Sequence, residues 1–338
     1  MKTEIPLSKQ IRYFISVTEE VLDTEISLLR DPEADPSGTL VDVYTYPIEK
    51  NVIIFPTQYI GLLKDFVLAK HCTHLLMKGA AAKKAQYKVC SFTEDSTYRG
   101  MRQIYIDALK DEAKKESKLP VEKLIKMLNI LFMHFQEDIN ELPWNTIVNA
   151  SVYHQMPKIR KTQLYHLMKE SKADMDEMMD QESIIPRRYF VLNKAMFYAR
   201  DLYLANTLPA DELKPVINIP QMKKFDHLEV KEMLTTRWTH TAWYQSKVFG
   251  DTMLEIVDDH LNRVNWNEKP SLEYYYELYQ IGVNLTNHLL KYMTMSDWFV
   301  WESPKHLLGA MDNKNRYEIE ALKKIFGDLI TESLEEQK

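Results

Sequence analysis

The chain has 338 residues and a mass of 39.9 kDa, with 45% hydrophobic and 27% charged residues, enough for a large core and for two domains. Its net charge of −6 supplies no basic field, which argues against a nucleic-acid partner held through phosphates. Two cysteines, Cys72 and Cys90, are too few for a disulfide framework and suit a reducing compartment. The first residues, MKTEIPLSKQIRYF, lack a signal-peptide core, and no apolar run reaches about 18 residues. A cytoplasmic protein with no membrane span is expected. With 8 glycines there is little material for tight hairpins or phosphate loops, which favours helix.

Ser8 to Arg30 places Ile11, Phe14, Ile15, Val21, Leu22, Ile26 and Leu29 at helical spacing, predicting one helix with Ser8 as its cap. The segment DPEADPSG then breaks the chain. Thr39–Tyr46 and Asn51–Phe55 read as two strands joined by the turn Pro47–Lys50 and ended by Pro56, an antiparallel pair and the only strands the pattern predicts. Pro56–Gly79, PTQYIGLLKDFVLAKHCTHLLMKG, reads as a helix capped by Thr57 and closed by Gly79. Its apolar residues cover more than one stripe, so it is expected to be buried on most sides.

Tyr87–Tyr98 is less regular, and a helix from Tyr98 to Lys115 runs into the charged linker DEAKKESKLP. Beyond Pro120 everything reads as helix, over Val121–Asp138, Pro143–His154, Lys158–Glu170, Arg188–Ala205, Leu228–Phe249, Asp251–Val264, Leu272–Met293 and Tyr317–Glu335. KADMDEMMDQES reads as an exposed helix or loop, and no internal repeat occurs.

The central helix carries the close pair His71 and His74. Residues three apart share one side of a helix, so both imidazoles can face one ion. A helical zinc peptidase instead spaces its histidines by four and sets a glutamate beside the first as general base. Between Glu49 and Glu94 the only carboxylate is Asp65, almost two turns before His71, so no acid on this helix can activate water there. Elsewhere, Asp258-Asp259-His260 is read as a solvated face, the cluster Trp238, His240 and Trp243 as core or interface, and the run Trp298–Trp301 as packing or a contact surface, all weaker candidates.

Two strands followed by Ala69-Lys70-His71-Cys72-Thr73-His74-Leu75 resemble the minimal zincin metallopeptidases of the IrrE/ImmA type, whose helix reads A-H-E-L-T-H-L. The resemblance implies that His74 keeps the second metal ligand, that Lys70 replaces the first, and that His71 stands where the catalytic glutamate belongs. Leu142–Gln163 is similar to a later family segment, with Pro157, Arg160 and Gln163 matching and Asn145 and Asn149 at its acidic positions. Leu192-Asn193, Gly250-Asp251 and Trp266 also fall where such proteins carry similar residues, so the likeness spans about residues 39 to 270.

The expected fold class is α+β and predominantly α-helical. A zincin-like N-terminal unit with a short antiparallel sheet (1–115) is followed by a larger helical region packed on it (116–338). The expected function is that of a catalytically inactive zincin-like protein with a binding or regulatory role, a protein partner and no cofactor, and it allows a homo-oligomer. The candidate site is Lys70, His71, His74 and Asn149. Two alternatives stand beside it. One is a metal-dependent hydrolase or peptidase, zinc being the possible metal, with His71 and His74 as metal ligands and an acid such as Glu94 or Asp95 from the next segment; the other is a helical protein-interaction module.

Overall fold

The computed structural model of the protein describes residues 5–112, 121–181, 186–207 and 244–327. It is mostly helical, with one three-stranded and one two-stranded sheet. Helix α1 (Lys9–Leu22) opens the fold, with the Ser8 side chain accepting from the Ile11 amide as expected of an N-cap. The helix stops far short of Arg30. Asp23 takes a left-handed conformation (φ 55°) and its amide returns to the Glu19 carbonyl, a C-terminal stop that a short polar side chain tolerates. Ile26–Asp31 is therefore strand β1, which corrects the expected long helix; pairing with β3 overrides the helical spacing of Ile26 and Leu29.

Strands β2 (Thr39–Val41) and β3 (Asn51–Pro56) are antiparallel as expected, but β1 pairs parallel on the other side of β3, so the sheet is mixed, in the order β1-β3-β2. The expected strand to Tyr46 ends at Val41 because Asp42, fully buried, bends the chain. Its carboxylate accepts from the amides of Tyr44 (3.0 Å) and Thr45 (2.8 Å), an Asx turn that competes with the ladder. Asn51, also fully buried, ties the sheet to its surroundings: it accepts from the Val43 amide and donates to Thr24. Along β3, Asn51, Ile53 and Phe55 alternate inward.

Helix α2 (Gly61–Lys83) begins and ends later than its expected bounds. Its N-cap is Ile60 without a side-chain cap bond, so Thr57 does not serve, and Gly79 lies inside the helix. The expectation of burial on most sides holds, since Phe66–Ala69, Cys72, Leu75–Met77, Ala80 and Ala81 are all buried. Strand β4 (Val89–Ser91) and helix α3 (Glu94–Glu112) follow. The amide of Thr93 donates to Ser96 Oγ (2.7 Å) and Thr93 Oγ1 accepts from the Ser96 amide (3.2 Å), a reciprocal cap that starts α3 four residues before Tyr98.

Helix α4 (Val121–Gln155) runs through Pro143, where two helices were expected. An interior proline removes one backbone bond at a cost of about 3 kcal/mol. Burial of Leu142, Thr146, Ile147 and Val148 on either side offsets that cost, and Thr146 Oγ1 donates to the Leu142 carbonyl. A 3-10 turn (Pro157–Ile159) leads to α5 (Arg160–Gln181), which carries KADMDEMM in helical form, and to α6 (Arg187–Thr207). Helix α7 (Tyr244–Leu261) passes through Gly250 without the expected break, the glycine packed on the Tyr198 ring. Helix α8 (Leu272–Tyr292), strand β5 (Val300–Glu302), α9 (Pro304–Asp312) and α10 (Lys314–Phe326) complete the chain. Trp238, His240, Trp243, most of the expected Leu228–Phe249 helix, much of the 111–120 linker and the end of the Tyr317–Glu335 helix lie outside the described residues.

Strand β5 pairs antiparallel with β4, so the sequence predicted neither strand of this sheet, nor β1. Both are only three residues long, too short to show a period. One hydrophobic core runs from Ile11 and Phe55 through α2 to Leu131 and Leu285. Among the described residues no helix is long and apolar enough to cross a membrane. Trp298, expected as packing or contact surface, is core: its ring lies 6.2 Å from Phe132, 6.4 Å from Phe135 and 6.0 Å from Tyr189.

Gly100 on α3 is the point where the helix meets this aromatic cluster. A Cβ there would lie 2.4 Å from Phe132 Cε2 and 3.1 Å from Trp298 Cδ2. Alanine gains about 1 kcal/mol of helix propensity but overpacking rigid rings costs about 1–3 kcal/mol. Gly100→Ala is expected to lower the unfolding free energy in urea titrations by up to about 2 kcal/mol, and a variant more stable than the wild type contradicts this packing.

Candidate functional site

A cavity of about 640 Å³ opens between α2, the loop before β2, β4 and the middle of α4. One face of α2 supplies Lys70, His71, His74, Met77 and Lys78 to its wall, the repeat of three to four residues that brings side chains onto one side of a helix. The Asp35–Leu40 loop, Trp144 and Asn145 of α4, Tyr87, Tyr279 of α8 and Trp301 of β5 line the rest. Three expected site residues, Lys70, His71 and His74, are therefore together. Asn149 is not in this wall; its backbone carbonyl accepts from Gln163 Nε2 at 2.7 Å, and the side chain of Asn145, one turn earlier, faces the cavity instead.

Each imidazole is engaged through Nε2. His71 Nε2 lies 3.1 Å from the Ser37 carbonyl oxygen and His74 Nε2 lies 3.3 Å from Asn145 Oδ1. Both partners are acceptors, so each ring donates from Nε2. Burial, reinforced by the positive charge of Lys70, pushes the His71 pKa down to about 3. Burial, then the neighbouring His71, Lys70 and Lys78, holds His74 well below its ordinary value. The two rings are neutral at pH 7.

Gly38 makes the Ser37 contact possible. It sits at φ +76°, and a Cβ on it would lie 2.7 Å from His71 Nε2 and 2.7 Å from Val67 Cγ1. Its position in the Pro-Ser-Gly break marks a turn in the sequence, but not that the turn closes over a histidine about thirty residues further along the chain; that depends on the tertiary packing of this loop against α2. The Asp35 carboxylate is consumed inside this loop, accepting from the Ser37 amide at 2.7 Å and its hydroxyl at 2.6 Å.

The lysines differ in their partners. Lys78 donates to Asp42 Oδ2 at 2.7 Å, and that pairing, together with the nearby Tyr87, raises the lysine pKa against the effect of burial. Lys70, 4% exposed, has its nearest carboxylate oxygen, on Glu170 of α5, 3.8 Å away. His166 Nε2 lies 3.9 Å from the same oxygen. Burial alone would raise the Glu170 pKa, but Lys70, His166 and Arg200 outweigh it and hold the carboxyl below its ordinary value. Sequence reasoning missed Glu170 because it comes from a helix a hundred residues later with no motif around it.

The expected alternative acids are elsewhere. Glu94 pairs with Lys324 at 3.1 Å and Asp95 with Arg99, and both lie in the first turn of α3, where negative charge favours the helix start. Asp258, Asp259 and His260 lie on α7, where His260 Nδ1 is 2.8 Å from the Ile256 carbonyl oxygen. Burial pushes both thiols, Cys72 and Cys90, up to about 12, which leaves them as inert thiols.

A zinc ion does not fit this donor set. It takes three or four N, S or O ligands in tetrahedral array, and among the described residues no three His, Cys, Asp or Glu side chains gather to hold one. The His71 and His74 ring centroids are 6.5 Å apart, the Nε2 atoms are committed to oxygen acceptors, and the Lys70 ammonium adjoins them. The chain matches no known protein family, no curated protein and no solved structure.

The depressed His71 pKa has a stability consequence. An unfolded histidine takes up its proton near pH 6.5, whereas His71 in the fold does so only near 3. Between those values the unfolded chain binds more protons, so stability rises with pH and is lost as pH falls from about 6.5. Urea titrations from pH 7 to pH 5 are expected to show a loss approaching about 1.4 kcal/mol per pH unit from this residue. His71→Gln should flatten that slope, and a wild-type stability unchanged across the window contradicts the assignment.

Proposed function

We propose that the chain is a catalytically silent relative of the minimal zincin metallopeptidases, and that its former metal cleft serves a binding or regulatory role. One observation carries the reading. The two positions that the resemblance assigns to metal coordination, Lys70 and His74, line one cavity together with His71, which stands where the catalytic glutamate belongs, and with Asn145, whose Oδ1 lies 3.3 Å from His74 Nε2. Of the two, only His74 keeps a side chain that binds zinc. A lysine occupies the other ligand place, and an imidazole stands in place of the base.

The chemistry of the replacements supports silence. An ammonium at a ligand position repels a cation, and an imidazole neutral and donating from Nε2 replaces the base that would deprotonate a bound water. No carboxylate oxygen lies within 4.0 Å of His71 or His74 among the described residues. The mixed sheet beside α2, with β2 as an antiparallel edge, supports the ancestry because the likeness began with strands leading into this helix.

The ancestry can be tested by reversal. Wild-type protein titrated with zinc is expected to bind no stoichiometric ion, and chelators should leave its melting temperature unchanged. The combined substitutions Lys70→His, His71→Glu and Asn145→Glu are expected to create binding of one zinc per chain, measured by calorimetry and metal analysis. Stoichiometric zinc on the wild type, lost in His74→Ala, would overturn the reading whatever the rebuilt variant does.

A further inference from the structure

We propose that the cavity binds a small aromatic carboxylate, with its anionic group on Lys70 and its ring against Trp144 and Tyr279. The proposal rests on the preceding reading only in taking the cleft as a binding site and not a catalytic one. Lys70 is 4% exposed, lines the cavity, and has no hydrogen bond among the described residues. Its ion pair with Glu170 spans 3.8 Å, and Glu170 is shared with His166. A buried ammonium without a hydrogen-bonded acceptor is costly, so an anion entering the cavity has a partner waiting.

The other charges in the wall are already used. Asp42 holds Lys78 and the amides of Tyr44 and Thr45. Asp35 holds Ser37. Lys88 is exposed at the edge. What remains is Lys70, held only by the 3.8 Å ion pair with Glu170 among the described residues, beside imidazoles whose Nε2 donors are engaged with Ser37 and Asn145. That arrangement suits a monoanion. A phosphate dianion is usually held by arginine forks or a nest of backbone amides, and no arginine lines this wall, which instead contains two aspartates.

The aromatic part follows from the opposite wall. The Trp144 and Tyr279 rings lie 5.5 Å apart at 35°, with Tyr87 6.1 Å from Tyr279. Gly282 of α8 lets the indole seat closely, since a Cβ there would lie 2.5 Å from Trp144 Cζ3. Trp144 and Asn145 line the same cavity as Lys70 and His74, and Asn145 Oδ1 lies 3.3 Å from His74 Nε2. A carboxylate one methylene from a fused ring presents both groups to this one cavity. The cavity volume of about 640 Å³ falls within the range of small-molecule sites, about 300–1,000 Å³.

The test uses the full chain and calorimetric titration with 1-naphthylacetate, its neutral amide 1-naphthylacetamide, and inorganic phosphate. The acid is expected to bind one per chain and at least about tenfold more tightly than the amide, the worth of one charge-assisted bond. Lys70→Met should abolish the preference for the acid while leaving the amide's affinity unchanged. Equal affinities for acid and amide, tighter binding of phosphate, or no binding of the acid to the wild type would each overturn the proposal. The acid–amide comparison on wild-type protein stands even where the variant fails to fold. Stoichiometric zinc would instead defeat the reading of a silent cleft and leave this comparison intact.

Discussion

Helix α2 is enclosed on nearly every side, and each polar group on it must therefore find its partner inside the protein. Lys64, Lys70, His71 and Thr73 are all buried along its length beside Phe66, Leu68 and Cys72. In such surroundings an unpaired charge is far more costly than in water. The helix answers in three ways: Thr73 donates to its own Ala69 carbonyl, Lys78 reaches Asp42, and His71 discards its proton's charge and donates to Ser37. Two groups are served less well: Asp65 Oδ1 is buried without a hydrogen-bond partner, and Lys70, which lines the cavity, has a carboxylate only at ion-pair distance.

This imbalance distinguishes the site from a plain core. A core histidine satisfied by one carbonyl is ordinary, but here two neutral imidazoles, a carboxamide and an ammonium converge on one space walled by tryptophan and tyrosine. The polar groups are fixed by elements from across the chain. Gly38 presents the Ser37 carbonyl, α4 presents Asn145, and α5 presents Glu170. Preorganisation of this kind is what a binding site requires, because it removes the ordering cost from the moment of binding.

Much of α2 and its neighbours was legible in the sequence. The all-round apolar pattern announced its burial, the run Asn51–Phe55 announced β3, and the spacing of His71 and His74 announced a shared face. The losses have physical causes. Ile26 and Leu29 keep helical spacing but pair with β3, since a parallel partner twenty-five residues away leaves no local signal. Asp42 ended β2 through a turn that β-branched neighbours concealed, and Pro143 failed to break α4 because packing on both sides outweighed one lost backbone bond. In the site, the Lys70–His71–His74 face could be read from helix geometry, whereas Gly38, Asn145 facing inward and Glu170 became visible only in three dimensions.

The account depends on the two imidazoles being neutral donors and not metal ligands. Two-dimensional ¹H–¹⁵N correlation of the histidine side chains at pH 7, assigned with His71→Gln and His74→Gln, reports the tautomer of each ring directly. The account predicts the Nε2–H form for both His71 and His74, unchanged by added zinc. A protonated ring at either position, or an Nε2 resonance that shifts to a metal-bound value on stoichiometric zinc, would contradict it.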